Sequence, residues 1–477
     1  MSSDPASTVK LEQHTIFQVP LNERYGKGIH LLTLWFGANL NILTVVTGAL
    51  ATTVFGQPFL YALLAILVGN LVGAVFMALH AAQGPQLGVP QMVQSRGQFG
   101  SMGASFVVAI VVLMYIGYYA SLMLIGGQSL HAVLPNLDLR SEIFVIGFVG
   151  LLGTVYGHNL IHFYTRMMTY VSGAAFAFCF LWIAFIHGVP SNFFALGNGS
   201  AVGFMGMVSI SALWQISYAP YVSDYSRYLP PGTGPREAFW ASYAGTVAGA
   251  SVPMILGAIV GMFAASGDVI GTLASLVGPA SRVVIPLFAL AIAAGSGMNL
   301  YCGTLSTITL GQTLLPAWHA SSRARIIVAM VLFAASLAIG ILGKDNFVEY
   351  YTNFIELLLY VMVPWTAINL VDYYLVKAGD YDVASFFEAD GGVYGKYNWP
   401  ALACYALGIL VQAPFMSSHL YIGPAAKAMG GVDISWIVGL AVISPIYYWT
   451  MMRAHGSSTE ITEIPRLMAI QSSVGQR

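Results

Sequence analysis

The sequence predicts an all-α, polytopic membrane protein with twelve transmembrane helices. Three observations carry this. Hydrophobic residues make up 57% of the 477 residues and charged residues only 8%, whereas a soluble domain carries about 25% charged residues. Mean hydropathy is +0.74. The apolar residues also come in windows of about 20, the helix length that crosses a hydrocarbon core about 30 Å thick. These windows lie near 29–50, 58–82, 102–127, 142–158, 166–187, 202–222, 239–265, 283–310, 325–343, 353–376, 399–416 and 434–452.

Basic residues orient the set. With the N-terminus inside, 14 of the 18 Lys and Arg fall on inner segments, and only Arg140, Arg282, Lys344 and Lys427 fall outside. That asymmetry fits the positive-inside rule and makes both ends cytoplasmic in a cell (cytoplasmic) membrane. The expected organisation is a tail at 1–28, spans 1–5 in 29–190, spans 6–10 in 200–378, spans 11–12 in 398–453, and a tail at 454–477. The first 27 residues are polar and lack an apolar h-region, so no cleaved signal peptide is expected. A net charge of −1 offers nothing to nucleic acid. Cys179, Cys302 and Cys404 lie in apolar runs and read as packing residues, with no metal site.

Taken in order, the spans differ in where they carry breakers and polar groups. Span 1 contains "WFGANLNILT", with Gly37, Ala38, Asn39 and Asn41 at mid-membrane. Span 3, "VVLMYIGYYASLMLIGGQSL", sets Tyr115 with Tyr118 or Tyr119 on one helical face. Such rings suit a flat aromatic ligand, as aromatic side chains receive nucleobases; packing or interfacial placement is the plainer alternative. Span 6 contains "WQISYAPY", with Trp214, Gln215 and Ser217 just before Pro220, which lacks a backbone donor. Span 8, "ALAIAAGSGMNLYCGTLSTITLG", offers Ser296 and Asn299. Span 10 carries Glu356, an ionisable group in a span and so a functional candidate.

Spans 1 and 6 are five apart, so they run in opposite directions. Paired interrupted helices in two inverted halves point to a transporter with a midplane site, because irregular backbone is tolerated there only where it lines a cavity. Trp214 and Gln215 could sandwich a planar ring and read its edge. An amide at the depth of Asn299 needs a partner, which an interhelical hydrogen bond would also supply. No GxxxxGK[ST] loop supports ATP-driven transport. No His, Asp, Glu and Cys cluster suggests an enzyme, and no cofactor is implied.

The same residues resemble the nucleobase–cation symporter-1 family, in its purine and cytosine permease branch. The matching stretches are "GKGIHLLTLWFGANL", "GNLVGA", "SRGQFGSMGASF", "SYAPYVSDYSRYLP", "NLYCGTLS" and "INLVDYYLVK", in family order through the first 380 residues or so. The resemblance implies a leucine-transporter-like core of 5+5 inverted repeats plus two accessory helices, with the substrate between spans 1, 3, 6 and 8. It places Tyr115 at the position of a stacking tryptophan, Val112 at that of a substrate-contacting glutamine, Trp214 or Gln215 at the span 6 aromatic, and Asn299 at a substrate-reading asparagine. Sodium-coupled relatives have two adjacent hydroxyls early in span 8, where this chain reads "AIAAGSG" with Ser296 as the lone hydroxyl. Sodium prefers hard oxygen ligands. The expectation is therefore proton coupling with Glu356 as a candidate, or a sodium site built mainly from carbonyls near Gly37 and Ala38.

Expected substrate contacts are thus Tyr115, Tyr119, Trp214, Gln215, Ser217, Asn299 and Asn39, and expected ion-coupling residues are Gly37, Ala38, Ser296 and Glu356. The expected partners are a heterocyclic substrate (cytosine or a purine, otherwise hydantoin, allantoin or uracil), a coupling cation and the bilayer. The oligomeric state is open and a monomer suffices. An amino-acid transporter on the same scaffold is the main rival, and a channel or receptor would need a continuous pore or sensing domain that the sequence lacks.

Overall fold

Asn41 divides the first span. Its side chain accepts from the backbone N–H of Leu43 (3.0 Å) and Thr44 (3.3 Å), an N-cap that starts a new helix in mid-membrane. The computed structural model accordingly has two helices here, Gly28–Asn39 and Ile42–Thr53, bent by 61°. It describes residues 15–156, 158–264, 267–315, 317–318 and 321–474; of the expected tails at 1–28 and 454–477, residues 1–14 and 475–477 lie outside them.

Spans 2 to 5 follow as Phe59–Ala81, Gly103–Val133, Leu139–Tyr156 and His158–Trp182, the last continuing as a π-helix to His187. Span 6 is Ala201–Ile216 and Ala219–Ser226. Spans 7 to 10 are Gly234–Gly261, Ser281–Leu314, Ser322–Leu342 and Phe347–Val371. Trp399–Gln412 and Ser435–Val474 complete the chain.

Ten helices among the described residues are long and apolar enough to cross a membrane, and the bent pair of span 1 makes an eleventh. The twelfth expected passage is the shorter apolar stretch Trp399–Phe415. Two helices escape an apolar-window reading. Gln91–Phe99 is polar in sequence yet every residue of it is buried. Val269–Val277 is only nine residues long and is N-capped by Asp268.

Helix pairing carries the symmetry of the fold. Span 1 packs on span 7, span 6 packs on span 2, and span 3 packs on span 8. Adding or subtracting five exchanges the first pair with the second and returns the third to itself, as two inverted repeats of five spans require. Apolar side chains such as Leu113, Val331 and Leu410 stand exposed on the outside, the face a bilayer covers.

The expected N-terminal tail starts packing before span 1. Ile16 and Val19 are fully buried, Val19 N–H donates to the Gly88 carbonyl (2.9 Å), and Arg227 donates to the Thr15 carbonyl (2.9 Å). The chain therefore closes its N-terminal side with its own leading segment.

Candidate functional site

The two interruptions meet at a small cavity of ≈ 20 Å³, room for one or two waters. Span 1 contributes Ala38, Asn41 and Leu43, and span 3 contributes Tyr118 and Leu122. Span 6 contributes Trp214, Ser217, Tyr218 and Tyr221, and span 8 contributes Gly295, Met298 and Asn299. Trp214 stands edge-on to Tyr118 (6.3 Å, 87°) and to Tyr218 (6.1 Å, 86°). The walls are aromatic, and of the two lining amides Asn41 is spent on the span 1 break, while Asn299 Nδ2 donates to the Gly295 carbonyl (3.1 Å) and its Oδ1 has no partner among the described residues.

The sequence-predicted residues divide into those at the cavity and those behind it. Trp214, Ser217, Asn299 and Ala38 line it. Gln215 lies one residue round the helix and faces away, where Nε2 donates to Asn70 Oδ1 (2.6 Å) and Oε1 accepts from Thr246 Oγ1 (2.5 Å). Asn39 is also behind the wall, accepting from Trp214 Nε1 (2.6 Å) and Tyr218 Oη (2.9 Å). On span 3 the ring at the cavity is Tyr118. Tyr115, one turn toward the N-terminal side, packs edge-on to Tyr221 (5.4 Å). Tyr119 points to span 4, donating to the Gly147 carbonyl (2.7 Å). A helix turns about 100° per residue, so adjacent tyrosines cannot share a face.

The expected ion-coupling groups are scattered. The Gly37 carbonyl accepts Leu40 N–H (3.1 Å), the Asn39 carbonyl accepts Asn41 N–H (2.9 Å) and the Ala38 carbonyl accepts Asn41 Nδ2 (2.9 Å). Ser296 Oγ donates to the Ala293 carbonyl (2.9 Å) within its own helix and sits against Gly150 of span 4. The sequence reading missed Asn41, Tyr218 and Tyr221 as cavity residues. A signal was present, since Trp214, Tyr218, Tyr221 and Tyr225 recur at helical spacing.

The span pairing and the cavity between two interrupted helices are those of a transporter. A family model described as a permease for cytosine/purines, uracil, thiamine and allantoin matches residues 18–439. The chain belongs to that permease family. It is 40% identical over 448 residues to the putative purine-cytosine permease YxlA of Bacillus subtilis, covering 93% of this chain and 96% of that one. Purine-cytosine permease fcyB of Emericella nidulans is 25% identical, over 91% and 87% of the two chains. In fold the permease is similar to Mhp1, a nucleobase-cation-symport-1 family transporter solved closed with bromovinylhydantoin bound. The TM-score is 0.76 at 16% identity, over 94% and 96% of the chains. The relatives are permeases, so this is a multi-pass membrane transporter and not an enzyme.

In this permease the two sides of the cavity differ. Opposite the N-terminal side, a vestibule of ≈ 840 Å³ reaches Val46 and Ile125, one turn above Leu43 and Leu122 of the central cavity. Span 10 lies across the gap between them, through Tyr351 Oη to Thr47 Oγ1 (2.9 Å) and Phe354 edge-on to Tyr118 (5.2 Å). The N-terminal side is sealed by buried amides. Gln91 donates to Gln83 (3.1 Å), Gln83 to Asn369 (2.9 Å) and Asn369 to Gln98 (3.3 Å). Gln98 donates to Tyr381 (3.0 Å), and Tyr381 and Tyr447 donate to Asp372. Arg96 ties the Gln91–Phe99 helix to the Phe386 carbonyl (2.7 Å) and to Thr309 and Thr313 of span 8 (2.9 and 2.7 Å). Burial pushes its guanidinium down to about 10, which leaves it positive at neutral pH.

Glu356 lines a separate cavity of ≈ 510 Å³ between spans 6 and 10 and the loop that holds His419 and Asp433. Asp433 is saturated, accepting from Tyr360 Oη, Ser417 N–H, Ser435 N–H and Ser435 Oγ at 2.6–2.8 Å. Glu356 Oε2 is buried with no hydrogen-bond partner among the described residues.

Proposed function

We propose that the protein is a secondary transporter that imports a planar nitrogen heterocycle, cytosine or a purine base, by alternating access. The observation that carries this is the box of Tyr118, Trp214 and Tyr218 around an Asn299 amide oxygen with no partner among the described residues. Aromatic walls suit a flat ring, and an amide is matched to the donor–acceptor edge of a base. The names of YxlA and fcyB as purine-cytosine permeases point the same way. In this reading Trp214 and Tyr118 hold the ring, Asn299 and Ser217 bond its edge, and Asn39 and Gln215 act from behind. The sealed N-terminal side is the cytoplasmic one.

Coupling is assigned to protons, with Glu356 as the carrier. At the span 1 break the hard oxygen ligands on offer are the carbonyls of residues 37–39, while the Ser296 hydroxyl sits against Gly150 of span 4, a poor set for sodium. Glu356 is a carboxyl within span 10 that lines a cavity and has one buried oxygen, Oε2, with no hydrogen-bond partner among the described residues. Hydantoin, allantoin or uracil is the nearest alternative substrate. An amino acid is disfavoured because the central cavity is walled by aromatic rings, which suit a flat ring better than an ammonium and a carboxylate.

The test is twofold. A melting-temperature panel of cytosine, adenine, hypoxanthine, uracil, allantoin and free amino acids on purified protein should show stabilisation by a base, since a ligand that binds the folded state raises its stability. Stabilisation by amino acids alone would overturn the substrate class. Uptake of the labelled base at fixed pH should then proceed without sodium; strict sodium dependence would remove the proton assignment.

A further inference from the structure

We infer that Asn39 is the positioning residue that ties the break in span 1 to the ring geometry of the cavity, an inference that rests on the cavity being the substrate site. Asn39 ends the first half of span 1 and is 0% exposed, so it acts on a ligand only through its neighbours. Its Oδ1 accepts two hydrogen bonds at once, from Trp214 Nε1 at 2.6 Å and Tyr218 Oη at 2.9 Å. Both rings line the cavity, and they flank the interruption of span 6.

The amide has one workable orientation. Nδ2 donates to the Trp35 carbonyl (2.7 Å) and lies 3.4 Å from Thr246 Oγ1. Flipping it would set an NH2 against the indole N–H, which can only donate, and would leave the Trp35 carbonyl facing an oxygen. The oxygen is therefore held toward the rings by chemistry on both sides. The two rings then stand perpendicular, at 86°, and the indole cannot turn without breaking a buried hydrogen bond.

The same residue reaches the other half of the break. Its carbonyl accepts Asn41 N–H (2.9 Å), and Asn41 caps the second helix of span 1. Thr246 carries the chain onward to Gln215, which donates to Asn70 of span 2. Any displacement of span 1 against span 6 must therefore move both rings together. Asn39 makes ring placement, and with it preference for a flat ligand over a puckered one, a function of how the two interrupted spans sit.

The experiment uses the full-length purified protein and the base that stabilises the wild type. Asn39→Ala should weaken binding of that base by about tenfold or more, as for a buried side chain in an interacting network. Transport at saturating base should change little, so the loss falls on KM. The variant should also lose discrimination between the base and its ring-saturated dihydro analogue. Tyr218→Phe should weaken binding in the wild type yet add nothing in Asn39→Ala. Unchanged affinity in Asn39→Ala, or a Tyr218→Phe effect that simply adds to it, would overturn the inference. If Asn39→Ala fails to fold, the pair Trp214→Phe and Tyr218→Phe applies the same test: both remove donors to one oxygen, and additive losses would sink the claim. If no base stabilises the wild type, the substrate reading itself has failed and this inference falls with it.

Discussion

Gly73 of span 2 lies against Ala212 of span 6 with no room for a side chain, since a Cβ at Gly73 would sit 2.7 Å from the Ala212 Cα. Gly69, one turn earlier, meets Ser211 in the same way. This small-xxx-small spacing lets two helices approach by their backbones, which is how membrane helices gain contact where lipid is as apolar as they are. It also fixes span 6 two residues before Trp214. Gly73→Val should cost about 1–3 kcal/mol of stability through overpacking and should weaken base binding by moving the indole. Melting temperature and base affinity measure the two effects. Gly232→Ala, where a Cβ meets nothing within 4 Å, should change neither.

Asn299 and Gln215 should separate under mutation although both are buried amides. Asn299 faces the cavity with an oxygen that no described residue satisfies. Asn299→Ala should therefore weaken base binding by about 1–3 kcal/mol, the loss expected of a buried polar partner, and leave the melting temperature of the ligand-free protein nearly unchanged. Gln215 is saturated by Asn70 and Thr246, so Gln215→Ala should leave those groups unsatisfied and lower the melting temperature. Direct titration with the base, beside thermal unfolding, gives both numbers for each variant. Equal loss of affinity with no loss of stability in Gln215→Ala would place it in the site after all.

Glu356 and Asp433 share a cavity but should answer differently to removal of charge. If Glu356 carries the coupling proton, uptake in the wild type rises as the outer solution is acidified, because protonation loads the carrier. Glu356→Gln, which mimics the protonated form, should flatten that pH profile and abolish accumulation against a gradient while exchange of base across the membrane persists. Asp433→Asn should instead lower stability and keep the pH slope, since both carboxylate oxygens bond to the loop and to the start of Ser435–Val474. Uptake and counterflow in vesicles across a pH series separate the outcomes. His419 and Tyr360 face the same cavity, so His419→Gln belongs in the series, with the slope expected to remain.

Much of this was legible in the sequence, for reasons that can be named. Spans are long apolar windows and need no tertiary knowledge. The interruption at "WFGANLNILT" was readable because Asn41 is a helix starter placed where a helix should continue. The break at "WQISYAPY" was readable from Pro220, but its size was not. The helix resumes at Ala219, so Pro220 falls in a first turn where a missing donor costs little, and only span 1 bends by more than 40° among the described helices. Side-chain direction was the harder part. Tyr115, Tyr118 and Tyr119 have the same composition value, and only the packing of span 3 on span 8 decides that Tyr118 meets the cavity. Polar groups behind the wall were not legible either, because the side-chain direction of Asn39 and Gln215 is set by partners on spans 6, 7 and 2. The buried helix Gln91–Phe99 escaped because its polar residues pair with one another and with the ends of spans 6, 8 and 10, which hydropathy alone cannot register.

The leading segment offers a last prediction. Arg227, at the end of span 6, donates to the Thr15 carbonyl (2.9 Å) and to the Phe17 carbonyl (3.3 Å), with Ile16 and Val19 buried beside them. Arg24 donates to the Val19 and Pro85 carbonyls, both at 2.9 Å. The segment thus joins the end of span 2 to the end of span 6 across the sealed side, and opening there must first break these bonds. Arg227→Ala leaves the buried Thr15 carbonyl and the part-buried Phe17 carbonyl short of a donor, at about 1–3 kcal/mol for the buried one at most, a loss sufficient to free a short segment without unfolding the bundle. The Val19 amide, bonded to Gly88 in the wild type, should then exchange its hydrogen faster, while amides of span 3 keep their protection. A cysteine placed at Gln91 should react faster with a thiol reagent applied from the N-terminal side. Unchanged exchange at Val19 would mean that the segment is held by Ile16 and Val19 packing alone, with the arginine bonds contributing nothing to the seal.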